Sequence, residues 1–159
     1  MGVLPVPARL LEDQRRMRHA LEVAHTTPPD DVPVGAVIYS PGGEILAATT
    51  NRRETDRDPT AHAEIIALRR AARRYTDGWR LSDCTLVVTL EPCAMCAGAL
   101  VGARLGRVVF GAYEPRTGAC GSVLDVVRDP SVLHTVQVTG GVLEEDCARL
   151  MQDFFLGHR

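Results

Sequence analysis

Two short motifs held far apart constrain this 159-residue chain more than anything else in it: His62-Ala63-Glu64 and, 31 residues beyond His62, Pro92-Cys93-Ala94-Met95-Cys96. Between them lie the rest of one helical pattern, a turn and the apolar run Thr85-Leu86-Val87-Val88-Thr89-Leu90. Each motif stands where a helix is expected to begin, so the chain must fold one helix start back upon another. The spacing Cys93-x-x-Cys96 sets two sulfurs about one helical turn apart, within reach of a single ion, and a helix N-terminus favours the thiolate. One imidazole with two thiolates suits zinc better than magnesium or calcium. Three ligands, His62, Cys93 and Cys96, leave one corner of a tetrahedron free for water, the arrangement of a catalytic site. A structural site usually takes a fourth ligand, and Cys84, Cys120 and Cys147 have no paired spacing to supply it. Glu64, two residues beyond His62, projects beside the imidazole, which suits a proton carrier placed next to a metal but not on it.

The wider sequence is consistent with one soluble domain spanning 1–159. Its hydrophobic fraction is 45% and its charged fraction 24%, near the globular average and far from disorder. The longest uncharged apolar segment, Ala94 to Ala103, falls short of the ~20 residues that span a bilayer, so no membrane partner is expected. The first nine residues carry two prolines and no apolar core, unlike a secretory signal. Five cysteines in a cytoplasmic protein read as metal ligands or buried thiols and not as disulfides. The net charge of −2 does not announce a nucleic-acid partner, but its distribution is uneven. Arg52 to Arg80 holds eight arginines against five acids, and Glu114 to Arg159 four against seven.

Periodicity gives the expected elements. An amphipathic helix runs from about Arg9 to His25, with Leu10, Met17, Leu21 and Ala24 on one face. Val34–Tyr39 and Glu44–Thr50 form a hairpin about Pro41-Gly42-Gly43, and Asn51–Asp58 is a polar loop. Thr60 is expected to cap a helix from about Ala61 to Arg74. Thr85–Leu90, a helix over Cys93–Ala103 and Val108–Phe110 make a βαβ unit with parallel strands. A short helix near Val123–Val127, a strand over Val136–Thr139 and a last helix over Leu143–Phe155 follow. The stripe Leu143, Cys147, Leu150, Met151 and Phe154 on that last helix reads as core packing. The fold class is α/β, a three-layer α/β/α arrangement on a mixed sheet of about five strands. Residues 10–126 would carry the catalytic core, and 127–159 a strand and helix that complete it.

His-x-Glu followed by Pro-Cys-x-x-Cys is the signature of zinc-dependent nucleobase deaminases. A thioredoxin-like dithiol is a rival for Cys93 and Cys96 alone, but Ala94 and Met95 replace the Gly-Pro of that motif, and His62 with Glu64 would be surplus. A structural zinc or interaction module, the non-enzymatic alternative, leaves Glu64 without a role.

The chain resembles the bacterial tRNA-specific adenosine deaminases, which convert the wobble adenosine of an anticodon to inosine. The resemblance runs from about Met17 to Arg159. It rests on Val32-Pro33-Val34-Gly35-Ala36-Val37, Asn51-Arg52, Asp58 to Ile65, Thr89 to Ala99, Val108 to Ala112 and Asp153-Phe154-Phe155. It implies a cytidine-deaminase-like fold, one zinc ion on His62, Cys93 and Cys96, and Glu64 as the proton-shuttling acid/base. It further implies that Asn51 contacts the reacting base, although loop capping is the simpler reading of that side chain. The backbone at Ala63 and Cys93 would help hold the ring. Glu114 stands where the family commonly has an aspartate, preceded by Tyr113 in place of a basic residue. Phe155 would lie near the nucleotides of the loop. The implied partners are a tRNA anticodon stem-loop and a second copy of the chain in a homodimer. Local phosphate contacts would come from Arg52, Arg53 and Arg57 before the Arg69, Arg70, Arg73 and Arg74 group. Within the same superfamily, a free-base or nucleoside deaminase of the guanine or cytosine type is the alternative.

Overall fold

The computed structural model describes residues 5–158, with ten elements in the order α1 (Ala8–Ala24), β1 (Gly35–Tyr39), β2 (Ile45–Thr50), α2 (Ala63–Arg74), β3 (Thr85–Leu90), α3 (Ala94–Gly102), β4 (Arg107–Ala112), a single 3₁₀ turn (Val126–Arg128), β5 (Gln137–Thr139) and α4 (Glu144–Gly157). The sheet order is β2-β1-β3-β4-β5. β1 is antiparallel to both β2 and β3, and β3, β4 and β5 are mutually parallel. The mixed five-stranded sheet and the parallel βαβ unit are as expected.

Strand composition explains the layering. β1 and β4 are buried along their whole length, which requires cover on both faces of the sheet. On one face Ala36, Ile38, Leu86, Val88, Val108 and Phe110 pack with Ala63, Ala67 and Leu68 of α2 and Ala97 and Leu100 of α3. On the other, Val37, Val87 and Val109 pack with Met17 and Ala20 of α1 and Cys147 of α4. The alternation of side chains along each strand divides these two sets. α4 lies so close to β4 that a Cβ on Gly111 would fall 2.2 Å from the Cys147 sulfur, so only glycine fits there.

Four local expectations need correction. Thr60 does not cap α2. Its hydroxyl and N–H both turn back to Asp58 Oδ1 at 2.8 Å, the helix starts at Ala63, and His62 takes the N-cap position. The helix expected over Val123–Val127 is only the 3₁₀ turn at Val126–Arg128, and Val123 and Leu124 are exposed. Leu10 is not on the buried face of α1; Asp13 occupies that place beside Met17, Ala20 and Ala24. Of the stripe on the last helix only Cys147 is fully buried; Leu143 packs partly buried against the core as expected, while Leu150, Met151 and Phe154 are only half-buried.

The topology brings four strand ends and two helix starts to one end of the sheet. β2, β3 and β4 end there, leading into Asn51, Glu91 and Tyr113, and β1 begins there, since Gly35 pairs with Thr50. The helix starts at His62 and Cys93 complete the cluster. The carboxyl ends of parallel strands are the usual place for a ligand crevice in a sheet of this kind.

Candidate metal centre and active-site cavity

The N-cap residues of α2 and α3 are His62 and Cys93, and neither helix has a side-chain cap. Both residues have extended backbone, with φ −69°, ψ 151° and φ −74°, ψ 176°, which turns their side chains away from the helix axis and toward each other. Cys96, on the first turn of α3, joins them. His62 Nδ1 lies 3.6 Å from Cys93 Sγ and 3.5 Å from Cys96 Sγ. All the ligand atoms of the three residues fall within 4.8 Å of one another. Zinc–sulfur bonds of ~2.3 Å and zinc–nitrogen bonds of ~2.0 Å at a tetrahedral angle place nitrogen and sulfur about 3.5 Å apart. The residues present therefore fit zinc in separation as well as in donor chemistry.

The electrostatics point the same way. A hydrogen bond from Cys96 pulls the Cys93 thiol down to about 4, against burial, with His62 assisting. The same bond, together with burial, pushes Cys96 up. The bond to Cys93 also raises His62, against its own burial. Glu64 is buried on the first turn of α2, and desolvation pushes its carboxyl above the ordinary range, while its own backbone N–H and His62 pull partly back.

The cavity over this cluster has a volume of about 240 Å³. That is somewhat below the ~300–1,000 Å³ of sites for drug-sized molecules, and on the scale of one heteroaromatic base with little solvent. His62, Glu64 and Cys93 line it together with Asn51, Glu114 and Phe155. Asn51 also caps its loop: Nδ2 donates to the Val32 carbonyl at 3.1 Å, and Oδ1 accepts from the Arg53 N–H at 3.2 Å. One amide proton and one lone pair remain for a ligand. Ala63 does not line the cavity. It is buried as the first residue of α2, where its N–H belongs to the unpaired first turn of the helix.

Of the loop arginines only Arg53 reaches the cavity; Arg52 is held by Asp56 at 2.9 Å. Arg69, Arg70, Arg73 and Arg74 are exposed along the second half of α2, and Arg74 donates to the Leu46 carbonyl at 3.2 Å. Arg159 lies outside the described residues. Thr117 and Glu91 line the cavity with no sequence-based expectation attached to them, and Met151, expected in the core stripe of the last helix, lines it too. Met151 sits in an apolar helical stripe that looks like any core stripe, and Thr117 carries no local signal at all. Glu91 had one: an acidic residue between an apolar strand and the Pro-Cys-x-x-Cys helix start. Cys84, Cys120 and Cys147 are buried thiols, raised by burial to about 11, 12 and 12 respectively, and take no part in the cluster.

The chain is similar in sequence and fold to known proteins. The model of the cytidine and deoxycytidylate deaminase zinc-binding region matches residues 11–112. The tRNA-specific adenosine deaminase of Haemophilus influenzae is 45% identical over 148 residues, covering 92% of this chain and 85% of that protein. A solved structure from studies of A-to-I editing by tRNA:A34 deaminases at the wobble position of transfer RNA superposes with a TM-score of 0.78 at 38% identity, over 84% of this chain and 96% of the other. The guanine deaminase from Nitrosomonas europaea superposes with a TM-score of 0.73 at 26% identity, over 97% and 96% of the two chains. The identity extends well past the zinc-binding region into the last strand and helix, and on that ground the chain belongs to the zinc-dependent tRNA-specific adenosine deaminase family.

Proposed function

We propose that this protein deaminates adenosine to inosine at the wobble position of a tRNA anticodon. The observation that carries the chemistry is the convergence of His62, Cys93 and Cys96 beside the buried Glu64 at the floor of a base-sized cavity. His62, Cys93 and Cys96 would hold zinc, which when bound makes water a nucleophile at neutral pH. Glu64, buried beside those residues, would carry a proton from the attacking water to the departing amine, so that ammonia leaves. The free amide proton and lone pair of Asn51 are the polar groups available to the edge of the ring. Glu114 at the rim supplies an acceptor for a sugar hydroxyl, and Arg53 supplies a cation for a phosphate. Phe155, 54% exposed on α4, offers a face for stacking.

A base must leave its stack to reach the floor of the cavity, and an anticodon loop makes that inexpensive because its bases are already unpaired. Support for the RNA substrate comes from the family and from the position of Arg53. A homodimer is part of the same reading, supported by the exposed Met95 on α3, with Ala94 and Gly98 exposed beside it. Among the described residues no helix is long and apolar enough to cross a membrane, in keeping with a site of action on cytoplasmic tRNA.

Incubation of the zinc-loaded protein with an anticodon stem-loop carrying a wobble adenosine, and separately with free guanine, cytosine and adenosine, tests the reading. Inosine in the RNA with untouched small molecules is the expected result. Turnover of a free base with unmodified RNA would favour the guanine-deaminase-like alternative that the Nitrosomonas europaea relative represents.

A further inference from the structure

We propose that Glu91 is a positioning residue that holds the substrate-facing loop 113–122 in place through its side chain. Glu91 follows β3 and is 2% exposed. Its Oε2 accepts from the Glu114 N–H at 3.0 Å and from the Ser122 hydroxyl, and its Oε1 accepts from the N–H groups of Cys120 at 3.1 Å and Ser122 at 3.0 Å. Four donors from one loop thus converge on one carboxyl group. Among the described residues it has no ion-pair partner, so this loop alone compensates its burial. The loop passes so close that a Cβ on Gly118 would lie 2.5 Å from the Glu91 carboxyl and 2.5 Å from the Glu114 carbonyl.

The loop has a second and separate attachment. Ala119 N–H donates to the Pro92 carbonyl at 2.8 Å, and Gly118 bridges Cys93. That backbone tie holds the segment beside the metal ligand whatever residue stands at 91. What Glu91 adds is the fixing of the Glu114 end, and Glu114 and Thr117 are the side chains the loop presents to the cavity. Glu91 reaches the cavity wall, but both of its carboxyl oxygens are engaged by the loop, so it acts on substrate through Glu114 and without supporting the zinc.

The inference rests on the cavity being the substrate site, and Glu91→Gln separates the two attachments. The glutamine carbonyl can still accept from Cys120 and Ser122, but its amide then faces the Glu114 N–H as donor against donor. In the zinc-loaded protein, hydrogen exchange at the Glu114 amide should accelerate while the Cys120 and Ser122 amides keep their protection, and zinc content should stay unchanged. KM should rise about five- to tenfold with kcat within about twofold of wild type. In a Glu114→Ala background the effect of Glu91→Gln on KM should largely vanish, as it must if the two residues act as one unit. Unchanged exchange at Glu114, loss of zinc, a fall in kcat at constant KM, or additive effects of the two substitutions would each overturn the proposal. The kinetic arm is read on whichever substrate the wild-type enzyme turns over, so failure of the RNA reading is seen separately. If Glu91→Gln folds poorly, Ser122→Ala removes one donor and should shift KM about twofold in the same direction; an unchanged KM there overturns the proposal too.

Discussion

Asp13 of α1 and Arg107 of β4, 94 residues apart, form a buried two-pronged ion pair, with Arg107 Nη1 to Asp13 Oδ1 at 2.8 Å and Nη2 to Oδ2 at 2.6 Å. Arg107 Nη2 also donates to Thr139 of β5 at 2.8 Å, so one guanidinium joins the first helix to two strands. Removing one partner leaves the other charge buried and uncompensated. Asp13→Ala should cost about 3–5 kcal/mol, or roughly 10 °C in Tm for a domain of this size. Thermal unfolding of the zinc-loaded variant checks it.

The candidate metal ligands His62, Cys93 and Cys96 need no alignment of side chains on any face to be found in sequence. Their residue types are rare, and their spacing alone places two of them on one helical turn. The βαβ unit is as legible, because Thr85–Leu90 and Val108–Phe110 are short apolar runs about a helix-length segment. Asp13 was illegible for the opposite reason: a lone acid on an amphipathic helix looks solvated until the strand carrying Arg107 is laid against it. The start of α2 was misread because His62 occupies the N-cap without capping chemistry, while Thr60, a strong capping residue, folds back on Asp58. Glu91 is an acid whose four partners lie 23 to 31 residues downstream in a loop without periodicity, so its purpose emerges only in three dimensions.

Zinc should depend on each of the three ligands and not on the other cysteines. Loss of a hydrogen-bond partner that orients a metal ligand commonly lowers affinity ~10–100-fold, so removal of a ligand itself should lower it by at least about a hundredfold. Cys96→Ser should lose zinc on dialysis against a chelator that leaves the wild type loaded, whereas Cys84→Ala should keep one equivalent. Elemental analysis of the dialysed proteins reads both.

Acid sensitivity should arise in part at Asp31. Burial alone would raise this carboxyl, but hydrogen bonds from the Thr55 hydroxyl and from the N–H groups of Glu54 and Thr55 outweigh it and hold the group below 3.8. Because the folded value is depressed, the stabilisation is complete above the unfolded value and is lost as pH falls through the folded one. Asp31→Asn should therefore be less stable by about 1.5–3 kcal/mol at pH 7, with the gap to wild type closing below about pH 4. Denaturant titrations of both proteins in the metal-free form, at a series of pH values, measure the gap without a difference in metal content.

Glu64→Gln tests the central claim most directly, with zinc content and deamination measured on the same preparation. Glu64 lies outside the cluster of His62, Cys93 and Cys96, so the variant should retain one equivalent of zinc. Its deamination rate should fall by at least about 10²–10⁴-fold, the contribution of a positioned proton carrier. A variant that keeps its zinc and still deaminates within about threefold of the wild-type rate would contradict the account, because a positioned proton carrier contributes far more than that.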